Sequence, residues 1–156
     1  MQETQTNNLL NKKVGAMLVA TGILSRVMAL REYALQQFEI TPEQYLVLSI
    51  IMDSGTELYQ RQISEITYKD RPNITRIINI LENLGLVKRI EDVNKRKVYK
   101  IAITEKGIEM RKKIQPTMFK LRAITTEGIS EEELEKTLQI LEKMQINMAD
   151  KVTLQI

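Results

Sequence analysis

Apolar residues recur along this chain with helical period at both ends and with strand period near the middle. From about Asn8 to Phe38, Leu10, Val14, Met17, Thr21, Leu24 and Met28 alternate spacings of four and three. That is the narrow seam a helix presents to a partner helix. Leu9, Leu18, Val27, Leu30, Tyr33 and Leu35 add apolar surface beside it, so this helix needs more than one neighbour, and a second chain is a natural source. A second helix opens at Ile40-Thr41-Pro42-Glu43-Gln44-Tyr45. Thr41 can cap it, Pro42 suits its first position, Gln44 completes a capping box, and Ile40 and Tyr45 occupy staple positions. It continues through Leu46, Leu48, Ile50 and Ile51 to about Asp53, where Ser54-Gly55 stops it.

Glu57-Leu58-Tyr59 reads as a short extended segment, and Gln60 to Tyr68 as a short helix with Ile63 and Ile66 inward. Asp70 can cap the next helix, from Arg71 to about Leu84, with Gly85 beyond its end and Pro72 in its first turn. Between Val87 and Thr104 the period changes to that of strands, with two strands, 88–91 and 98–103, and a polar tip at 92–97. Thr104-Glu105 opens a helix of about 20 residues with a kink expected at Pro116, ended by Gly128. Ser130-Glu131-Glu132-Glu133 is a second capping box, and Leu134, Leu138, Leu141, Met144 and Met148 follow at helical spacing. Two short helices followed by a basic hairpin form a winged helix-turn-helix. The expected fold class is therefore mostly α with a small β wing, in one domain. Residues 8–38 form an N-terminal dimerisation helix, 41–104 the winged helix-turn-helix lobe, and 105–156 the C-terminal dimerisation helices.

The helix from Arg71 carries the chemistry. At 100° per residue, Ile74, Ile77, Ile78, Leu81 and Leu84 fall on one side. Pro72, Arg76, Asn79 and Asn83 fall on the other, flanked by Asn73 and Thr75. That face lacks the Glu/Lys pairs of an ordinary solvated helix. Arg pairs with guanine in the major groove, Asn with adenine, and Thr with a phosphate or a thymine methyl. The helix N-terminus offers N–H groups to a phosphate. The hairpin adds Lys88, Arg89, Lys95, Arg96, Lys97 and Lys100, opposed by Glu91 and Asp92. A basic tip on a thin ribbon can reach phosphates or a narrow minor groove.

Composition sharpens this picture. The chain of 156 residues carries a net charge of only +3, but the charge is uneven. Residues 58–104 hold ten Lys or Arg against five Asp or Glu, whereas 127–150 hold seven acids against two Lys. A basic middle between neutral or acidic ends suits a polyanion. There is no Cys and no His, which removes disulfides, thiol sensing, the commonest metal ligand and the commonest general base. No enzyme activity, cofactor or metal site is expected. No apolar run approaches the roughly 20 residues of a membrane span, and Met1 to Asn8 lacks a signal-peptide core. The expected address is the cytoplasm, with no membrane partner.

Asp70-Arg71-Pro72-Asn73-Ile74-Thr75-Arg76-Ile77-Ile78-Asn79-Ile80-Leu81-Glu82-Asn83-Leu84-Gly85-Leu86-Val87 resembles the recognition helix and exit of the MarR (multiple antibiotic resistance regulator) family. Ile103-Thr104-Glu105-Lys106-Gly107 is similar to that family's LTEKG segment after the wing. The resemblance implies a homodimeric transcription regulator on a pseudo-palindromic operator, usually a repressor released by a small-molecule effector or another signal. It places Pro72, Asn73, Thr75 and Arg76 at the DNA and the wing tip in the minor groove. The full recognition set read here is Arg71, Pro72, Asn73, Thr75, Arg76 and Asn79, with Lys95, Arg96 and Lys97 on the wing. One departure concerns the wing tip, where the family usually has an acid, a variable residue and then Arg. Here those positions are Lys95-Arg96-Lys97, so an Asp–Arg pair steadying the wing is absent unless Asp92 and Arg96 replace it. Met17, Tyr33, Tyr45 and Met52 are the candidate lining of an effector pocket. The competing reading is a dimeric winged-helix interaction module that does not bind DNA.

Overall fold

The structure is a computed structural model. It describes residues 2–92, 98–149 and 151, with side chains from residue 10 onward. It divides into two compact units, Met1–Pro42 and Glu43–Ile156.

The first unit is essentially helix α1 (Gln2–Leu35), which starts earlier and ends sooner than its periodicity suggests. After it, Gln37 adopts a left-handed φ of 53°, Phe38 N–H donates to the Tyr33 carbonyl at 3.1 Å, and the two rings meet edge to face at 5.1 Å. The seam residues Leu10, Val14, Met17 and Leu24 are all exposed, and so are Leu18, Val19, Ile23 and Val27 around them. The apolar surface is thus wider than a seam. Between Leu10 and Leu35 the helix is long and apolar enough to cross a membrane, with mean hydropathy 1.5. This corrects the expectation that no segment reaches that threshold. The scattered polar residues that break the apolar runs, such as Thr21, Ser25 and Arg26, do not lower the average enough.

The second unit holds α2 (Pro42–Asp53), β1 (Leu58–Tyr59), α3 (Gln60–Thr67), α4 (Arg71–Asn83), β2 (Val87–Glu91), β3 (Tyr99–Ile103), α5 (Glu105–Thr125) and α6 (Glu131–Ala149). The sheet is antiparallel in the order β1-β3-β2. Leu58 pairs with Ile101 across one edge of β3, and Arg89 pairs with the same Ile101 across the other. The core is aliphatic: Val47, Leu48, Ile63, Ile74, Ile77, Ile78, Leu81, Leu86, Ile101 and Ile114 are essentially inaccessible. Arg111 on α5 donates to Asp53 at the end of α2 at 2.6 Å, and Lys69 approaches Glu43 at 3.5 Å.

Ile66 departs from its expected inward position and is exposed. The buried side of α3 is Ile63 and Ser64, and Ile66 lies roughly 160° around the helix from Ser64. The Ser64 hydroxyl donates to the Lys69 carbonyl, which satisfies this buried polar group and fixes the turn into α4. Helix α5 runs unbroken through the exposed Pro116. Helix α6 begins with the expected box: Ser130 N–H donates to Glu133 Oε2 at 2.9 Å, and Glu133 N–H donates to Ser130 Oγ at 3.3 Å. No residue of α6 is buried, and Leu138 and Met148 of its stripe are exposed.

Candidate nucleic-acid interface

Helix α4 is set by its two ends. Asp70 is extended (φ −64°, ψ 156°) and its Oδ1 accepts the Asn73 N–H at 2.8 Å. Pro72 stands in the first turn, where no intrahelical bond is lost. At the other end Gly85 takes φ 72°. Its N–H donates to Glu82 O, and the Leu86 N–H to Leu81 O, both at 2.8 Å. These paired bonds are a Schellman ending, which a glycine at the left-handed position permits.

The segment Thr104 to Gly107 closes the same end from outside. Thr104 Oγ1 donates to Gly85 O at 2.7 Å and accepts the Gly107 N–H at 3.1 Å, capping α5. Lys106 Nζ donates to Leu84 O at 2.7 Å. Gly107 lies against the Leu86 carbonyl, which a Cβ there would meet at 2.1 Å. Each residue of the Thr-Glu-Lys-Gly motif except Glu105 thus clamps the C-terminus of α4 onto α5. Its contribution is to hold the helix, and none of these bonds lies on the helix's solvent face.

That solvent face is as the helical period requires. Ile74, Ile77, Ile78 and Leu81 are buried, Arg71, Pro72, Arg76, Asn79 and Asn83 are exposed, and Asn73 and Thr75 are half-buried. Arg76 donates to Asn73 Oδ1 at 3.3 Å, and Thr75 Oγ1 lies 3.4 Å from Gln60 Oε1. Along the face runs a groove of about 590 Å³ lined by Arg71, Pro72, Thr75, Arg76, Asn79, Ile80 and Asn83. A second groove of about 810 Å³ passes between α3, α4 and the sheet, where Arg61, Arg71 and Arg89 face Tyr59, Gln60, Thr75 and Tyr99. Arg71 and Thr75 border both grooves. Among the described residues that line the two grooves, Arg61, Arg71, Arg76 and Arg89 are cationic and Glu65 is the one carboxylate, paired with Arg61 at 2.8 Å.

Two features were not anticipated. Arg89 bonds to the Glu82 carboxylate and donates to Asn79 Oδ1 at 2.7 Å. Strand alternation carries the signal for it, because Arg89 shares a face with the buried Val87 and so turns toward α4. At the base of the wing the Tyr59 hydroxyl donates to the buried Asp92, and Asp92 N–H donates to Val98 O at 2.8 Å. The hydrogen bond to Asp92 pushes the Tyr59 phenol above its usual value of 10.0, with desolvation and the Asp92 charge acting in the same direction. Lys100 Nζ sits 5.7 Å from the Tyr59 ring centre. Lys95, Arg96 and Lys97 lie outside the described residues, as does any Asp92–Arg96 pairing.

The candidate effector residues fall in both units. Met17 is exposed on α1 and Tyr33 is buried beside Phe38. Tyr45 is buried on α2, and Met52 near its end is half-buried. Neither groove is lined by them. Among the described residues no group of three His, Cys, Asp or Glu side chains is placed to hold a metal ion.

A short helix, a turn, a helix with one free polar face and then an antiparallel ribbon define a winged helix-turn-helix, the class that lays a helix in a DNA groove. The family model for the MarR family matches residues 38–97. Similar solved structures include a MarR-family transcriptional regulator from Rhodococcus sp. RHA1, at 21% identity and TM-score 0.77, covering 86% of this chain and 95% of that one. The S. aureus MepR–DNA complex aligns at 21% identity and TM-score 0.74, over 85% and 96% of the two chains. CouR from Rhodococcus jostii RHA1, bound to p-coumaroyl-CoA, aligns at 23% identity and TM-score 0.76, over 86% and 93%.

Proposed function

We propose that this chain is a sequence-specific, double-stranded-DNA-binding transcription regulator that acts as a homodimer on a pseudo-palindromic operator, as a repressor relieved by a small-molecule effector. The observation that carries the reading is the free face of α4. Arg71, Pro72, Arg76 and Asn79 stand exposed on a helix whose other side is wholly buried. Its capped N-terminus suits a phosphate, and Arg76 and Asn79 suit base edges. Lys95, Arg96 and Lys97 would extend the contact into the minor groove. MepR, in its complex with DNA, and CouR, with its bound acyl-CoA, supply the analogy for operator and effector. Met17, Tyr33, Tyr45 and Met52 remain the proposed effector contacts.

The homodimer is supported by apolar surface that the single chain leaves uncovered. Met17, Ile23 and Leu24 on α1, and Leu138, Ile146 and Met148 on α6, are each at least half exposed. Monomers rarely expose surface of this kind without a partner. A twofold-symmetric pair would set two reading helices about one DNA turn, ~34 Å, apart. Burial of α1 against a second copy also accounts for its membrane-like hydropathy, and we place the protein in the cytoplasm. Recovery in the membrane fraction after cell breakage would overturn that placement.

Fluorescence titration against the DNA upstream of its own gene tests the function. Tight binding that falls steeply with salt is expected, because each neutralised phosphate releases counterions. Absence of binding at low salt would leave a dimeric interaction module in its place.

A further inference from the structure

Arg89 reaches from β2 to two α4 residues almost one turn apart, Asn79 and Glu82. A guanidinium carries donors and no acceptor. The atom of the Asn79 side chain that faces it at 2.7 Å is therefore the oxygen, and the amide NH₂ is the group left for the solvent face. Asn79 itself is exposed, whereas Arg89 and Glu82 are both half-buried and paired. Moving Arg89 aside to free the amide would strip Glu82 of its partner, so the orientation is held from behind.

An asparagine pairs with adenine by using both halves of its amide, the oxygen accepting from N6 and the nitrogen donating to N7. The bond from Arg89 takes one of the oxygen's two lone pairs and holds that end of the amide toward the wing, so the NH₂ donor is the end turned outward. We propose that Arg89, by holding the Asn79 oxygen inward, presents the amide donor to the groove and so selects guanine, whose N7 and O6 both accept, over adenine, whose N6 amino group would face another donor. This rests on the DNA-reading role proposed above. Arg89 is then a positioning residue that sets specificity without itself touching a base.

The test is selection of full-length protein on a randomised duplex pool, comparing the wild type with Asn79→Ala, Asn79→Asp and Arg89→Met. The wild type should enrich a motif, and Asn79→Ala should flatten one position in each half-site, with discrimination there falling roughly tenfold. That position should carry guanine in the wild type. Asn79→Asp keeps an oxygen for Arg89 and turns an acceptor outward, so preference should move to cytosine, whose N4 donates. Arg89→Met should move it toward adenine. If Arg89→Met does not fold by circular dichroism, Asn79→Asp, at an exposed position, decides the matter alone. Adenine at the flattened position of the wild type, or no position altered by Asn79→Ala or Asn79→Asp while a motif is still enriched, would overturn the inference and leave the regulator reading intact. Failure of the wild type to enrich any motif would remove sequence-specific reading and the inference with it.

Discussion

Helices α1 and α4 both carry rows of aliphatic side chains, but only α4 closes its row within the chain. Ile74, Ile77, Ile78 and Leu81 have at most 1% of their surface accessible, while Leu10, Met17, Ile23 and Leu24 keep 58–68%. The difference separates folding from assembly. The winged-helix lobe obtains its apolar core from its own α2 to α5 and sheet. The terminal helices hold apolar surface that the single chain does not cover. In the homodimer proposed above, that surface would form an interface like a domain core cut in half, and burial against a second copy would account for the membrane-like hydropathy of α1.

The same change made in both regions should have opposite signatures. Ile77→Ala should cost about 2–5 kcal/mol of lobe stability, through lost burial and a residual cavity, read as a lower urea midpoint. Leu24→Ala, already solvated in the single chain, should change the stability of an isolated chain by less than about 0.5 kcal/mol while weakening self-association in sedimentation experiments. A wild-type protein that sediments as a monomer at all concentrations would break the contrast.

Gly107→Ala probes the clamp under α4. A Cβ there would lie 2.1 Å from the Leu86 carbonyl, and forcing the backbones apart should cost about 1–3 kcal/mol, seen in thermal unfolding, together with weakened DNA binding. Arg76→Ala should act on the other side of the same helix. It should leave stability unchanged but lose about 1–3 kcal/mol of specific affinity. An equal loss on random DNA would reduce Arg76 to a phosphate contact.

The smallest effect belongs to α6. The Ser130 N–H and hydroxyl hold the Glu133 carboxyl below its ordinary value of 4.5. A group whose folded pKa is depressed contributes its stability above the unfolded value and loses it as pH falls through the folded one. The start of α6 should therefore loosen below about pH 4.5, and Ser130→Ala should flatten that dependence in acid titrations followed by circular dichroism. An unchanged titration would show that the box contributes nothing measurable.

The wing-adjacent contacts mark how far pattern reading reaches. The Asp70 cap, the Gly85 ending, the Ser130 box and the buried face of α4 were all legible, because each follows from residues within one turn of one another. Ile66 was misread because α3 has two turns, too few for its apolar spacing to say which side meets the core. Arg89 was grouped with the basic hairpin although strand alternation turns it toward α4. Its partners Asn79 and Glu82 lie seven to ten residues away on another element.

By itself the sequence determined the order of helices and strands, the caps that start and stop them, and the face of α4 left polar, since all of these depend on short-range periodicity and backbone chemistry. Only the tertiary structure decided which groups on that polar face are already engaged. It brought the Arg89 guanidinium to one end of the Asn79 amide, clamped the exit of α4 with Thr104 and Lys106, and tied Tyr59 to Asp92. Those contacts join segments distant in the chain, and hydrogen-bond direction is fixed by which groups meet in space.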